Sequence, residues 1–448
     1  MNVMINDIRN DLDTTVEGVQ ATITAMLLIM AILMIPGGKL TDRWGRKRCF
    51  IWGLALFGSG ALLSALSPGL GVLLLGNSVL EGVGTCLLIP PVYILTTMAF
   101  DDVTGRARAF GVISGMAGVG AAAGPLIGGL ITTGISWRAA FLFQVGVIAI
   151  ILLLARRIVD PVAPDPTRPF DTVGAILSAV GMFFVVFGIL LADNDLVLTA
   201  VFLAVGAALL FGFFLHIRAR ERAGKEPLIS LGLFRNRMSN LGLVTQNIQW
   251  LLLMGTSFVV AVFLQTVRGY NAIETGIVFT AATVGILASS LAAERLAKRY
   301  AQRTLILAGF VVTVAGIGLL LGLVGASSRV VAFVPGLLLI GVGLGVMLTP
   351  SVNVVQSSFP EQLQGEISGV SRAVSNLGSS FGAAIAGTIL VSDLASGNGT
   401  YVIAMVVLAA LGLVGLAAAF FLPANPKHRG APGKVIASDA LDPATQQG

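Results

Sequence analysis

Thirteen long apolar runs constrain this chain more than any other feature. They fall at roughly 18–38, 49–67, 70–98, 107–131, 137–155, 172–191, 196–216, 240–265, 272–295, 304–324, 331–357, 365–391 and 400–422. A helix needs about 20 apolar residues to cross the hydrocarbon core of a bilayer. Within lipid every backbone polar group must be satisfied internally, which a helix does by itself. The runs are too long, and alternate too little, for transmembrane β-strands. They predict an all-α, polytopic membrane protein whose first partner is the lipid bilayer. Composition agrees: 56% of the residues are hydrophobic and 11% charged, against about 25% charged in soluble domains. The 55 glycines suit helices that pack closely in lipid.

The basic residues set a direction. With the connector after the first run taken as cytoplasmic, 23 of the 28 Lys and Arg fall on the cytoplasmic side. Arg9, Arg138, Arg268 and Arg329 fall outside, and Arg372 lies within a run. That bias follows the positive-inside rule and predicts a cytoplasmic C-terminus in the cell (inner or plasma) membrane. The net charge of +6 therefore belongs to membrane connectors, and no nucleic-acid partner is expected. Cys49 and Cys86 lie in or beside apolar runs and lack metal-ligand spacing. The N-terminus shows no basic-then-apolar signal pattern.

The connectors divide the chain. Residues 1–17 form an extracytoplasmic segment. Five spans (18–155) follow, then a Pro- and charge-rich cytoplasmic linker (156–171), two further spans (172–216), a cytoplasmic loop (217–239), six spans (240–422) and a Pro-, Gly- and Ala-rich tail (423–448) expected to be disordered. Within the loop, Pro227 to Phe234 is amphipathic and is expected on the membrane surface. Residues 42–53 align without gaps to 298–309, matching Arg43 with Arg299, Lys47 with Arg303 and Gly53 with Gly309. This is a faint internal repeat of the kind transporters use.

Three segments carry chemistry. In Gly38-Lys-Leu-Thr-Asp42-Arg43-Trp-Gly45-Arg46-Lys47-Arg48, the glycines permit tight turns and close approach. Asp42 sits at a helix end among cations, where it can pair with Arg43 or Arg46 or face a helix N-terminus. In Gly115-x-x-Gly118-x-Gly120-x-x-x-Gly124-Pro125-x-x-Gly128-Gly129, small residues make a smooth face for another helix and Pro125 permits a bend. In Leu74-x-x-x-Ser78-x-x-Glu81-Gly82-x-Gly84, Glu81 lies eleven residues into its span, about 16 Å at ~1.5 Å per residue, hence near the midplane. A charge there costs roughly 2–3 kcal/mol or more. Burial favours the neutral carboxyl, so Glu81 is the proton-carrier candidate; a structural, hydrogen-bonded Glu is the alternative.

These three segments resemble motifs A, C and B of the major facilitator superfamily, and Ser136-Trp137-Arg138-x-x-Phe141 follows the same pattern. Gly369 to Gly382 (GVSRAVSNLGSSFG) resembles the penultimate span of the drug:proton antiporter branch with fourteen spans, the EmrB/QacA type. Asn2-Val3-x-Ile5-x-Asp7-Ile8-x-x-Asp11-Leu12 resembles the segment that closes that branch's first helix, so residues 1–17 read as the remnant of a first helix of which most is absent. The resemblance runs from residue 1 to about 422. It implies two pseudo-symmetric helical bundles plus two extra central helices. Motif A (Gly38, Asp42, Arg43, Gly45, Arg46) would gate the cytoplasmic side. The motif C helix (Gly120, Gly124, Pro125, Gly128, Gly129) would form the rocking interface of an antiporter. Where the family usually has Arg in motif B this chain has Ser78, so the proton role of that Arg does not transfer.

Gln246, Asn247, Asn353 and Arg372 are candidates for lining a cavity; interhelical hydrogen bonds are the alternative for the amides and snorkelling for Arg372. Gly341-x-Gly343-x-Gly345 follows no strand and lies inside a span, so it is not a nucleotide loop. No metal, nucleotide or covalent cofactor, no enzyme activity and no obligatory protein partner are called for. The expectation is a proton-coupled exporter of small, lipophilic or cationic compounds, whose partners are that substrate and protons. The rivals are a metabolite symporter or uniporter of the same fold, and a non-transporting sensor or inactive truncated product.

Overall fold

A computed structural model describes residues 1–99, 126–160, 169–190, 196–326, 329–359, 364–392 and 398–423, with Ile113, Met116, Gly120, Gly124, Pro164 and Thr167 as single positions. Regular structure among them is helical throughout. A turn at Asn2–Met4 leads into α1 (Ile5–Asp11), followed by α2 (Val16–Trp44), α3 (Arg46–Ala65) and α4 (Leu70–Leu73). A π-helical segment, Leu74–Leu80, joins α4 to α5 (Glu81–Ala99). After helical turns over 126–134 come α6 (Trp137–Ala155), α7 (Thr172–Leu190) and α8 (Leu196–Arg222). The second half holds α9 (Arg237–Val262, extended by π-helical Phe263–Val267), α10 (Ala272–Arg299), α11 (Gln302–Ala326), α12 (Phe333–Gln356), α13 (Gln364–Val391) and α14 (Gly399–Phe420).

Among the described residues, eleven helices are long and apolar enough to cross a membrane, and Thr172–Val185 is a shorter apolar one. The expected span at 107–131 and the tail beyond 423 fall largely outside the described residues. Local chemistry fixes where helices begin. Thr15 accepts from the Gly18 N–H at 3.2 Å. Asn236 accepts from Met238 and Ser239 N–H at 2.9 and 3.2 Å. Asn271 and Glu274 close a reciprocal capping box, both bonds 2.9 Å. The 16–44 helix outruns its apolar stretch because backbone hydrogen bonding continues until Gly45, whose φ of +92° ends it.

Helices α2, α3, α5 and α6 pack into one bundle, and α9 to α14 into another. Helices α7 and α8 pair with each other, and α7 touches both α2 and α13. The bundles meet chiefly along α2 and α13. Small residues bring backbones together at the α3–α5 crossing, where a Cβ on Gly53 would stand 2.7 Å from the Gly84 carbonyl oxygen. Leu142, Ile150, Phe211, Val406 and Leu413 are exposed, as a lipid-facing surface requires. The main apolar core lies in the second bundle, around Phe258, Phe310 and Phe333.

Candidate functional site

Glu81 opens α5 directly after the π-helical segment and is 2% exposed. Gln144 of α6 donates its side-chain N–H to Glu81 Oε2 at 3.0 Å. The other oxygen, Oε1, is buried and has no hydrogen-bond partner. Gly60 of α3 covers the stem so closely that a Cβ there would lie 2.9 Å from Glu81 Cγ. One turn earlier, the Asn77 amide nitrogen is also buried without a partner. Ser78, standing where the resemblance expects Arg, donates to the Thr22 carbonyl at 2.7 Å and ties the π-helical segment to α2. An unsatisfied buried polar atom costs about 1–3 kcal/mol. The pocket of protein around Glu81 is therefore one that a proton or a polar ligand would relieve. Gln144 escaped sequence reading, although it is the one polar side chain in the stretch 139–155.

The basic end is built around Gly45. Its φ of +92° suits glycine, and a Cβ there would approach Pro164 Cγ at 3.1 Å. Asp160, beyond α6, accepts from the N–H groups of Arg46 and Lys47 at 2.7 and 3.2 Å and so caps α3. The Arg46 guanidinium reaches the same carboxylate at 4.0 Å, and Lys47 Nζ donates to the Arg156 carbonyl at 3.0 Å. Gly38 lies within α2 and Arg43 in its last turn; the side chain of Asp42 lies outside the described residues. Lys39 crosses to the other bundle and pairs with Glu366 of α13 at 2.8 Å. The second Glu366 oxygen accepts from the Ser230 N–H at 3.2 Å.

Asp171 closes the linker with a side chain 1% exposed. Its Oδ1 accepts from the Gly174 N–H at 2.9 Å and lies 2.8 Å from His216 Nε2. Its Oδ2 accepts from the Leu228 N–H at 3.2 Å and lies 3.6 Å from Arg220 Nε. One carboxylate thus joins the start of α7, the end of α8 and the loop beyond. Around it, Leu228, Ile229 and Leu233 are buried against Ile217, Val355 and Ile367. Within the 227–234 stretch, expected on the membrane surface, these three side chains pack against protein while Phe234 is exposed. Burial alone would raise the Asp171 carboxyl, but the bonds from His216 and Gly174 and the Arg220 charge outweigh it and hold it below the usual carboxylate range. A group depressed in this way adds stability above its unfolded value, and that stability is lost as pH falls through the lower folded value. Asp171→Asn is expected to cost about 2 kcal/mol at neutral pH. The gap should persist down to about pH 4 and close below it. Melting curves of both chains in detergent check this; a gap unchanged at pH 3 would remove charge from the account.

At the opposite end, α1 bridges the bundles. The Asn6 backbone and side-chain N–H groups donate to Gln265 at 3.0 and 2.8 Å. Asp11 accepts from Trp137 Nε1 at 3.0 Å and pairs with Arg138. In the motif C-like segment, Gly120 and Gly124 are exposed and Pro125 lies outside the described residues. A Cβ on Gly129 would stand 2.6 Å from the Ala272 carbonyl oxygen, and one on Gly128 3.6 Å from Val3. This segment therefore meets the second bundle closely. Gln20 of α2 donates to the Ala383 carbonyl of α13 at 3.2 Å, a cross-bundle contact that sequence reading missed.

The candidate cavity residues separate. Gln246 is buried, donates to Ser375 and accepts from Ser371, each at 2.9 Å. Asn247 donates to the Val374 carbonyl at 2.9 Å. Both amides are thereby engaged in α9–α13 hydrogen bonds. Asn353 is exposed, and Arg372 is intermediate.

A sequence model of the Major Facilitator Superfamily matches residues 1–383 and 243–441. The chain is 29% identical over 402 residues to the multidrug resistance protein Stp of Mycobacterium tuberculosis (strain CDC 1551 / Oshkosh), covering 88% of this chain and 73% of that one. It is 30% identical over 363 residues to the multidrug efflux pump LfrA of Mycolicibacterium smegmatis (strain ATCC 700084 / mc(2)155), covering 81% and 71%. Its fold matches the crystal structure of the peptide transporter POT in complex with sulfate with a TM-score of 0.68, over 94% of this chain and 90% of that one, at 16% identity. That likeness speaks to the fold alone. With two helical bundles, a membrane-spanning composition and a family match along nearly its whole length, the chain belongs to the major facilitator superfamily of membrane transporters.

Proposed function

We propose that the chain is a proton-coupled antiporter that exports small lipophilic or cationic compounds by alternating access, with its basic end in the cytoplasm. The observation that carries this reading is Glu81: a carboxylate enclosed in the first bundle, one oxygen held by Gln144 and the other unpaired. Such a group can alternate between charged and neutral forms as the site opens to each side. Two cross-bundle contacts flank it, Lys39–Glu366 at the basic end and Asn6–Gln265 at the other. Alternating access needs contacts of this kind, broken in turn. The basic connectors support the orientation. The names of Stp and LfrA support a drug-like cargo.

The experiment is reconstitution into vesicles carrying a pH-sensitive dye. Adding a fluorescent lipophilic cation should drive proton movement opposite to that of the cation. Protons moving in the same direction would assign symport, and cation movement without protons would assign uniport; either outcome defeats the antiport reading.

A further inference from the structure

Among the described residues, a cavity lies within the second bundle. It measures about 350 Å³ and sits between α9, α11, α12 and α14 at the end opposite the basic connectors. That volume is within the usual range for ligand sites. Its walls include Phe263, Leu320, Phe333, Tyr401 and Met405. The Phe263 ring stands 6.0 Å from Phe333 and 5.1 Å from Tyr401, centroid to centroid. Among the described residues, none of the first bundle lines it.

Among the described lining residues, one is a cation. Arg268 follows the π-helical segment that ends the α9 span. Its guanidinium carbon lies 5.5 Å from the Phe263 centroid. Its Nε is buried and has no hydrogen-bond partner, and among the described residues no carboxylate lines the cavity. A guanidinium at the end of a span sits at the depth of lipid headgroups. Helices α11 and α14, which flank the opening, expose Leu319, Val402 and Val406, so the chamber is continuous with a lipid-facing surface. An inorganic anion would satisfy Arg268 and leave the aromatic walls unused. A phospholipid uses both parts, because its phosphate oxygens match a guanidinium and its tail matches the walls.

We propose that this cavity binds a membrane phospholipid, with the phosphate on Arg268 and an acyl chain against Phe263 and Phe333. The site is independent of what the transporter carries. The test titrates the full chain in dodecylmaltoside with dioleoylphosphatidylglycerol and follows bound lipid by native mass spectrometry. The parent should retain one lipid. Arg268→Gln should weaken that binding about tenfold or more, the loss expected for a charge-assisted hydrogen bond. Val402→Trp, at the exposed lip, should weaken it comparably by narrowing the mouth, and it carries the test if Arg268→Gln does not fold. Equal lipid retention in the parent and in both folded variants would overturn the proposal. So would sodium phosphate stabilising the parent against heat as well as the lipid does, because that result would assign an anion site without a tail.

Discussion

Glu81→Gln is expected to insert, fold and bind substrate, yet to move it no faster than empty vesicles do when a proton gradient is the only drive. The substitution keeps the shape and the oxygen that accepts from Gln144, and it removes the titratable proton. The amide nitrogen would occupy the place of Oε1, which has no partner at present, so no existing hydrogen bond is lost. The new amide N–H groups lack an acceptor there, so the change in stability should not exceed about 1–3 kcal/mol. Glu81→Asp should retain partial coupling, since it keeps the proton but draws the carboxyl back from Gln144. Gradient-driven transport and downhill dye flux, measured on the same vesicles, separate coupling from binding. Uptake at the parental rate in Glu81→Gln would defeat the proton-carrier assignment and return Glu81 to a structural role.

Reversing one charge of the Lys39–Glu366 pair should open the basic end. Lys39→Glu places two carboxylates where a 2.8 Å ion pair now joins α2 to α13. Both side chains are about one-fifth exposed, so the pair is screened less than a surface pair. Coupling energies for such contacts run about 0.5–3 kcal/mol, and ~1.4 kcal/mol shifts a two-state population about tenfold. Ile35 packs beside Gly369 across the same seam, so an Ile35→Cys reporter should react with a maleimide about ten times faster in Lys39→Glu. The native Cys49 and Cys86 are buried and give little background. The swap of Lys39→Glu with Glu366→Lys should restore protection only in part, because the Ser230 N–H loses its acceptor. Labelling that is indifferent to the charge at 39 would strip this contact of a gating role.

Much of the fold was legible because lipid imposes a simple rule on sequence. Twelve of the thirteen apolar runs appear as helices, two of which, Val16–Trp44 and Leu196–Arg222, extend well past their expected C-terminal limits, and the run at 107–131 lies mostly outside the described residues. What escaped was the partnership of polar groups across long sequence distances. Asp160 and Asp171 sit in a connector whose composition is rich in charge and proline. Nothing local says that the first caps a helix starting at residue 46 or that the second joins three segments. The 227–234 stretch showed an apolar face but not what covers it. Hydrophobicity cannot distinguish a lipid surface from Ile367 and Val355. For Gln246 and Asn247 depth was readable, whereas the choice between a wet cavity and interhelical bonds depended on Ser375, Ser371 and the Val374 carbonyl of another helix.

The wide turn at Leu74–Leu80 has a further implication. A π-helical turn behaves as an α-helix carrying one surplus residue. Losing a residue is normally the most damaging edit a spanning helix can suffer, since each residue turns the strand of side chains by about 100°. Here the same edit would leave a more regular backbone and would aim Glu81 away from Gln144. The irregularity is thus an offset in phase, and the direction in which the buried acid points depends on it.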